Sequence, residues 1–533
     1  MKNTEIFEDY DMVVSITQQT INDQLIHLQR MGIIHSSLRL AQEIDEASQN
    51  YVYKVLQPND PIPPNCAYID GLITPQINIA ESGEIVTFLL NFRSGTAAFW
   101  TGNGPLARLV KSDMKNWVYA IAINLDLTKL EADDLNKKIK VPDNVRDQLE
   151  NFNSQMFDVN HLFMDFESTD LLRFDPQQTK TGSAGDTAQE QMVLFMQFYL
   201  SDLVRTGNPY ILGYSLTTND KTAQAADANL APMVRPVSTT YTMYQDPVTP
   251  VRSTLNFVLA TQGGHGKVTG TPGVFDTNWI APSDTCDAMM IYSHAVLIEA
   301  MILKPFFTQF SQQVYEGIKD QISVDQGNDY ATAVSATPTG FSYTISDTPD
   351  GNDNRYQNIY TADFVNSDGQ VAVNLKGQLM LYKEVEQNDG LLHPKASATF
   401  NIGWNAVYTL SLNKDASGQP KIQIDHSSNF APPATSTWMN NDAKAMQWIG
   451  KILGSLLDFC TGFLDQGFMG NLFANLLSVN VPDVGNVDAA VGDLGDNVGT
   501  MIMMPAGDVF AFKQPASDPL GNLSMQLIYK SET

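Results

Sequence analysis

Asp11-Met-Val-Val-Ser-Ile-Thr17, followed by Gln-Gln-Thr-Ile21 and Asn-Asp-Gln-Leu25-Ile26, has a counterpart 276 positions later. There the chain reads Asp287-Ala-Met-Met-Ile-Tyr-Ser293, then His-Ala-Val-Leu297, then Ile-Glu-Ala-Met301-Ile302. The two segments align without a gap. Each has an acid, a short apolar run, a hydroxyl residue, and apolar residues four and eight positions after that hydroxyl. An apolar run as short as Met12–Ile16 or Ala288–Tyr292 suits a buried strand. Thr17 and Ser293 suit helix N-caps, because their oxygens can accept from the orphan N–H groups of a first turn. Ile21, Leu25 and Leu28 then line one helix face, as Leu297 and Met301 do in the second copy. Gly32 offers a stop for the first helix, and Pro305 bends or ends the second. A chain match at this distance is the signature of an internal repeat.

Working outward, the rest of the chain reads mostly as strands. Trp117–Leu127 and Ile85–Phe92 alternate as half-buried strands do. Helices are expected at Asp143–Phe152, after Pro142, and at Thr187–Thr206, which stops at Gly207. Thr217–Arg252 is polar, contains proline and lacks periodicity, so it reads as the connection between halves. Beyond it strands are expected at Leu255–Thr261, Gly340–Ile345, Gln370–Leu375, Gly377–Lys383, Ala396–Ile402 and Val407–Leu412. Asp347–Asn354 and Asn413–Gly418 read as hairpin tips. Val509–Phe512 and Leu523–Tyr529 close the chain, with Leu523, Met525, Leu527 and Tyr529 on one face. Ala443–Asp465 and Gln466–Val479 form a strongly apolar pair, read as a buried helical hairpin. Asp458 and Asp465, at roughly 2.5–3.5 kcal/mol each near a bilayer centre, argue against a membrane span.

At 533 residues the chain exceeds one core, since domains run to about 100–200 residues. The expected division is 1–250 and 251–533. Fifty-nine acids against thirty-two bases leave a net charge of −27, a field that repels nucleic-acid phosphates. No nucleic-acid partner is therefore expected. Cys66, Cys286 and Cys460 are distant and odd in number, so no disulfide framework or CxxC site is legible. The first residues lack the basic region and apolar run of a signal peptide, which suggests a cytoplasmic protein or one exported by a leaderless route.

Catalytic templates fail. No HExxH or other histidine ligand spacing occurs among the seven histidines, and there is no GxSxG elbow. Gly263-Gly-His-Gly-Lys-Val-Thr-Gly270 looks like a phosphate loop. However, Thr261 stands where the Walker pattern needs its first glycine, and Val268 stands where it needs Ser or Thr. It reads as a flexible loop. Asp347, Asp350 and Asp353 crowd one turn without calcium-loop spacing. No cofactor or metal is expected, and a non-enzymatic protein is favoured.

Several motifs resemble those of the clostridial forty-seven-kilodalton and OrfX-type proteins, which are encoded beside neurotoxin genes. They are Asp11–Ile16 leading to Asn22, Ile123-Asn-Leu-Asp-Leu127, Leu162-Phe-Met-Asp-Phe166, Asn208-Pro-Tyr-Ile-Leu-Gly-Tyr214, Leu255-Asn-Phe-Val-Leu259, and Met503-Met-Pro505 with Val509-Phe510. The resemblance implies an α+β, elongated architecture of two tandem TULIP-like (tubular lipid-binding) repeats. In each, a long helix is wrapped by a curved antiparallel sheet. It also implies a lipid-binding or toxin-accessory role, and supplies no catalytic residues. Candidate contacts for an apolar ligand are Ile21, Leu25, Leu297 and Met301 on the matched helices, Ile449 and Leu453 in the apolar pair, and Met525 and Leu527 on the last strand. Met289, Met290, Met301, Met446, Met469, Met501, Met503 and Met504 suit either a variable ligand or plain core filling. Two other readings stay open. One is an accessory protein with filled cores that binds a protein partner in a toxin complex. The other is a membrane-active toxin using Ile449–Val479.

Overall fold

A computed structural model describes residues 6–45, 50–80, 83–102, 106–130, 139–147, 157–167, 173–218, 236–261, 272–296, 335–337, 340–347, 354–367, 370–386, 393–414, 420–431, 434–441, 502–507, 510–518 and 521–529, with residues 149, 264 and 266. These are mostly strand, with few helices. The expected hairpin at 443–479, and with it Ile449 and Leu453, lies outside the described residues, as do Leu297 and Met301.

The chain divides into two compact units. One comprises 1–290, 488–511 and 526–533; the other comprises 291–487 and 512–525. The first opens with β1 (Met12–Thr17), every residue of which is buried, running directly into α1 (Gln18–Arg30). Thr17 caps α1 as its sequence suggests: its Oγ1 accepts from the Thr20 N–H at 3.1 Å. Then follow β2 (Ser37–Ile44), β3 (Tyr51–Val55), β4 (Tyr68–Asn78), β5 (Ile85–Thr101), β6 (Arg108–Asp113), β7 (Val118–Lys129) and β8 (Phe157–Met164). Residues 143–147 are helical. Next come α2 (Gly185–Thr206), β9 (Ile211–Thr218), β10 (Pro236–Tyr244), β11 (Thr254–Thr261) and β12 (Ala288–Tyr292).

The remaining strands are β13 (Ser335–Thr337), β14 (Gly340–Asp347), β15 (Asn354–Ser367), β16 (Gln370–Glu386), β17 (Lys395–Lys414), β18 (Pro420–Phe430), β19 (Ala434–Met439), β20 (Ile502–Met503), β21 (Phe510–Ser517) and β22 (Leu523–Tyr529).

Three sheets result. The nine-stranded sheet runs β20-β9-β8-β7-β5-β4-β2-β3, with β6 beside β5. The six-stranded sheet runs β10-β11-β1-β12-β22-β21. The seven-stranded sheet runs β13-β14-β15-β16-β17-β18, with β19 beside β17.

Several expectations need correction. Thr217–Arg252 is not all connection, because Pro236–Tyr244 pairs with β11 along its length. Its Thr- and Ser-rich alternation hides a strand behind a polar face. Gln370–Leu375 and Gly377–Lys383 are one strand, as are Ala396–Ile402 and Val407–Leu412. The apparent break at Gly377 is a packing feature: Gly377 pairs with Trp404, and a Cβ there would meet the indole at 2.1 Å. The turn at Asp347–Asn354 is framed as expected, with Asp347 opposite Asn354.

Of Gly263–Gly270, Gly264 and Gly266 lie within the described residues, and both sit against Asp11. Asp11 is buried, and its carboxylate accepts from the Thr261 N–H at 2.7 Å and the Gly266 N–H at 2.9 Å. A Cβ at Gly264 would fall 2.0 Å from that carboxylate. Glycine fits at 264 because the chain closes directly over the buried Asp11 side chain.

Candidate functional site

The site is built on α1. At 3.6 residues per turn, Gln18, Asn22, Leu25 and Gln29 fall along one side, and Gln24 lies roughly 200° round from Asn22. Ile21, Leu25 and Leu28 occupy the arc between Asn22 and Gln24. Gln19, Asp23 and Arg30 occupy the opposite, exposed arc.

The amide side meets β4. Beyond Leu72, β4 has β5 on one flank but no longer pairs with β2. Its free edge is closed by side chains. Ile77 donates its N–H to Asn22 Oδ1 at 2.8 Å, and Asn22 Nδ2 donates to the Ile77 carbonyl at 3.1 Å. Asn22 thus replaces one residue of a missing strand. Ile79 donates to Gln18 Oε1 at 2.7 Å, and Gln29 Nε2 donates to the Ile73 carbonyl at 2.9 Å. Unpaired strand edges need such cover, and buried backbone groups need partners.

The opposite side of α1 meets the far end of the same sheet. Gln24 is fully buried, and its Oε1 accepts from the Ala506 N–H at 3.2 Å. Ala506 stands three residues past β20, which pairs with β9 through Ile502–Ser215 and Met503–Tyr214. Two helix positions two residues apart therefore touch β4 and the segment after β20. Between these the sheet passes through β5, β7, β8 and β9. The sheet curls round until β4 and the segment after β20 flank one helix, and the apolar arc of Ile21, Leu25 and Leu28 faces the enclosed side.

Of the candidate contacts, Ile21 and Leu25 lie on this arc, and both are fully buried. Met525 and Leu527 alternate inward on β22, as the sequence indicates, and are likewise buried. They lie in the six-stranded sheet rather than against α1's wrapping strands.

Sequence reasoning passed over the polar groups. Gln24 Nε2, Tyr214 Oη and Ser215 Oγ are buried and have no hydrogen-bond partner among the described residues. Neighbouring strand residues point to opposite faces, so one of Tyr214 and Ser215 points to the enclosed side. Burial alone holds the Tyr214 phenol far above its ordinary range, so it is a neutral hydroxyl at physiological pH.

α2 closes a neighbouring part of the unit. Phe195 packs against Tyr53 and Phe99, and the Tyr199 hydroxyl lies 3.2 Å from that of Tyr210. Burial, chiefly, pushes the Tyr199 phenol up to about 12.

Among the described residues, no group of three or more His, Cys, Asp or Glu is placed to hold a metal ion, and no helix is long and apolar enough to cross a membrane.

No family model and no curated protein matches the chain. Among solved structures, P47 from Clostridium botulinum A2 is similar at 12% identity and a TM-score of 0.41, over 98% of each chain. P47 of Clostridium botulinum E1 is similar at 9% identity and a TM-score of 0.46, over 98% of this chain and 99% of that one. A lipopolysaccharide binding protein is similar at 9% identity and a TM-score of 0.28, over 98% of this chain and 100% of that one. At such values function has to be argued from this chain's own geometry.

Proposed function

We propose that the chain is a non-enzymatic protein that binds an apolar ligand, of acyl-lipid type, between α1 and the sheet that wraps it. The observation that carries this reading is the pair of contacts Asn22–Ile77 and Gln24–Ala506. They set an apolar arc of helix facing the enclosed side of a curled sheet. Ligand sites for apolar molecules combine such walls with a few placed polar groups. Gln24 Nε2 and one of Tyr214 Oη and Ser215 Oγ are suited to meet a ligand's polar end. Leaving such buried groups unpaired costs about 1–3 kcal/mol each.

The tandem architecture belongs to the same proposal. In the six-stranded sheet each opening strand of the matched sequence pair lies beside the last strand of a terminal hairpin: β1 beside β11, and β12 beside β22. Asp11 donates its N–H to the Leu259 carbonyl at 2.9 Å, and its counterpart Asp287 donates to the Leu527 carbonyl at 2.9 Å. Both acceptors stand two residues before the end of their strand. Thr17 N–H meets the Asp287 carbonyl at 3.0 Å, which sets β1 beside β12 with the end of one at the start of the other. Two copies of one plan, each opening on a strand and ending in a hairpin, account for these matches. A toxin-accessory setting, with a protein partner, rests on the sequence motifs alone.

Native mass spectrometry of the purified protein, followed by organic extraction, tests the binding. A bound mass that extracts as lipid is expected. Apoprotein throughout, with no uptake of a fluorescent acyl probe, would sink the proposal.

A further inference from the structure

The outer edge of β3 ends the nine-stranded sheet. Its hydrogen-bonding phase follows from its neighbour. Leu56 donates to the Arg39 carbonyl and Asp45 to the Asn50 carbonyl, both at 2.9 Å. In the printed register Leu40 faces Val55 and Ile44 faces Tyr51. Antiparallel pairs alternate between bonded and non-bonded, so residues 50, 52, 54 and 56 bond to β2. The N–H and C=O groups of Tyr51, Tyr53 and Val55 then point outward, and among the described residues none of them makes a backbone hydrogen bond outside the sheet.

This edge lacks the usual protections. It has no proline, and its pairing with β2 shows no bulge. Natural edges are normally blunted by such devices or by charge, and here the charge is a single lysine, Lys54. The surroundings are apolar and open. Tyr51 is 61% exposed, Ile44 opposite it 56%, and Val52 41%. On α2, Leu194 is 45% exposed, one turn before Phe198, which stacks on Tyr53 at 5.8 Å between ring centroids.

We propose that this edge is a homodimer interface, in which β3 pairs antiparallel with β3 of a second copy about a two-fold axis at Tyr53. The occupant is argued from self-complementarity. Tyr51-Val-Tyr-Lys-Val55 is apolar or aromatic at every position but Lys54. Centred on Tyr53, the register sets Tyr51 against the partner's Val55 and Val52 against the partner's Lys54. No like charges meet. The three outward residues of each copy face one another in the bonded phase, giving about six main-chain hydrogen bonds, two for each bonded pair. A two-fold contact uses the same patch on both subunits, so Ile44, Tyr51 and the Leu194 side of α2 would be covered symmetrically. A β3 displaced by one residue would place its N–H groups out of phase.

Light scattering coupled to size exclusion, on the full chain across roughly 1–100 µM, gives the test; this protein span is an order-of-magnitude choice for transient to stable dimers. The wild type is expected at twice 58.8 kDa. Val52→Lys places two Lys–Lys contacts in the interface and is expected to return the monomer mass, raising the dimer dissociation constant at least about tenfold. Val52→Lys with Lys54→Glu turns both contacts attractive and is expected to restore the dimer. Val248→Lys, at an exposed site elsewhere, leaves the mass unchanged. Thermal melts of all variants separate loss of pairing from loss of fold. A wild type of monomer mass at the highest concentration overturns the proposal. So does a dimer indifferent to Val52→Lys, or a double variant that folds yet stays monomeric.

Discussion

Asn22→Leu tests whether α1 truly replaces a strand on the free edge of β4. Leucine branches at the same atom as asparagine and is a better helix former, so α1 is kept. What is lost is specific: the Ile77 N–H and C=O, bonded to Asn22 at 2.8 and 3.1 Å, become buried and unpaired. Each such group costs about 1–3 kcal/mol. Burying the added apolar surface returns about 1–2 kcal/mol. At mid-range values, about 4 kcal/mol lost and about 1.5 kcal/mol returned, the net loss is about 2.5 kcal/mol, local to β4. A chain of two units need not unfold in one transition, so global denaturation is a poor probe. Hydrogen exchange of the peptide spanning Ile73–Ile79 reads the edge directly. Exchange at Ile77 should speed up by roughly 60-fold, since each 1.4 kcal/mol is tenfold. Gln19→Leu, which removes an exposed bond to Asp23, should change stability by less than about 0.5 kcal/mol. Unchanged exchange at Ile77 in the Asn22 variant would refute the strand-replacement account.

Further expectations concern the loops, the second unit and high pH. Gly264→Ala pushes a methyl into the Asp11 carboxylate and should destabilise by about 1–3 kcal/mol. Asp11→Ala in the same chain makes room, so a double-mutant cycle should show strong coupling, and additive losses would contradict the contact. Gly377→Ala should cost a similar about 1–3 kcal/mol in the second unit by displacing Trp404. Unaltered tryptophan emission with unaltered stability would contradict the packing.

For Tyr199 the folded value of about 12 exceeds the ordinary unfolded value of about 10. Between these limits the native state holds the proton and the unfolded state does not. Stability should then hold below pH ~10 and fall above it, by about 1.4 kcal/mol per pH unit from this residue until pH ~12. Urea midpoints measured through that range should show a shallower fall in Tyr199→Phe.

The sequence made the strand–helix openings legible because their signals are local. Thr17 caps what its hydroxyl suggests, and Met12–Ile16 has no polar residue but Ser15 to contradict burial. β22 was legible by strict alternation. β10 was not, because Ser238, Thr239, Thr240 and Thr242 resemble a linker until β11 supplies the partner. The gap expected between Leu375 and Gly377 is absent, because Gly377 continues the strand and admits an indole from the neighbouring one. Half of the candidate site was visible, namely the apolar stripe of Ile21 and Leu25. The amides that orient that stripe were not, since Gln18, Asn22, Gln24 and Gln29 look like an ordinary polar helix face. Their meaning depends on a strand edge some fifty residues away and on Ala506, 482 residues beyond Gln24.

The most direct test of ligand binding is photo-crosslinking with a diazirine-bearing fatty acid, mapped by peptide mass spectrometry. The account predicts adducts on the α1 peptide carrying Ile21, Leu25 and Leu28 and on the β9 peptide carrying Tyr214, reduced by excess unlabelled fatty acid. Labelling confined to exposed apolar residues such as Leu106 or Val248, or labelling that excess fatty acid does not displace, would contradict it.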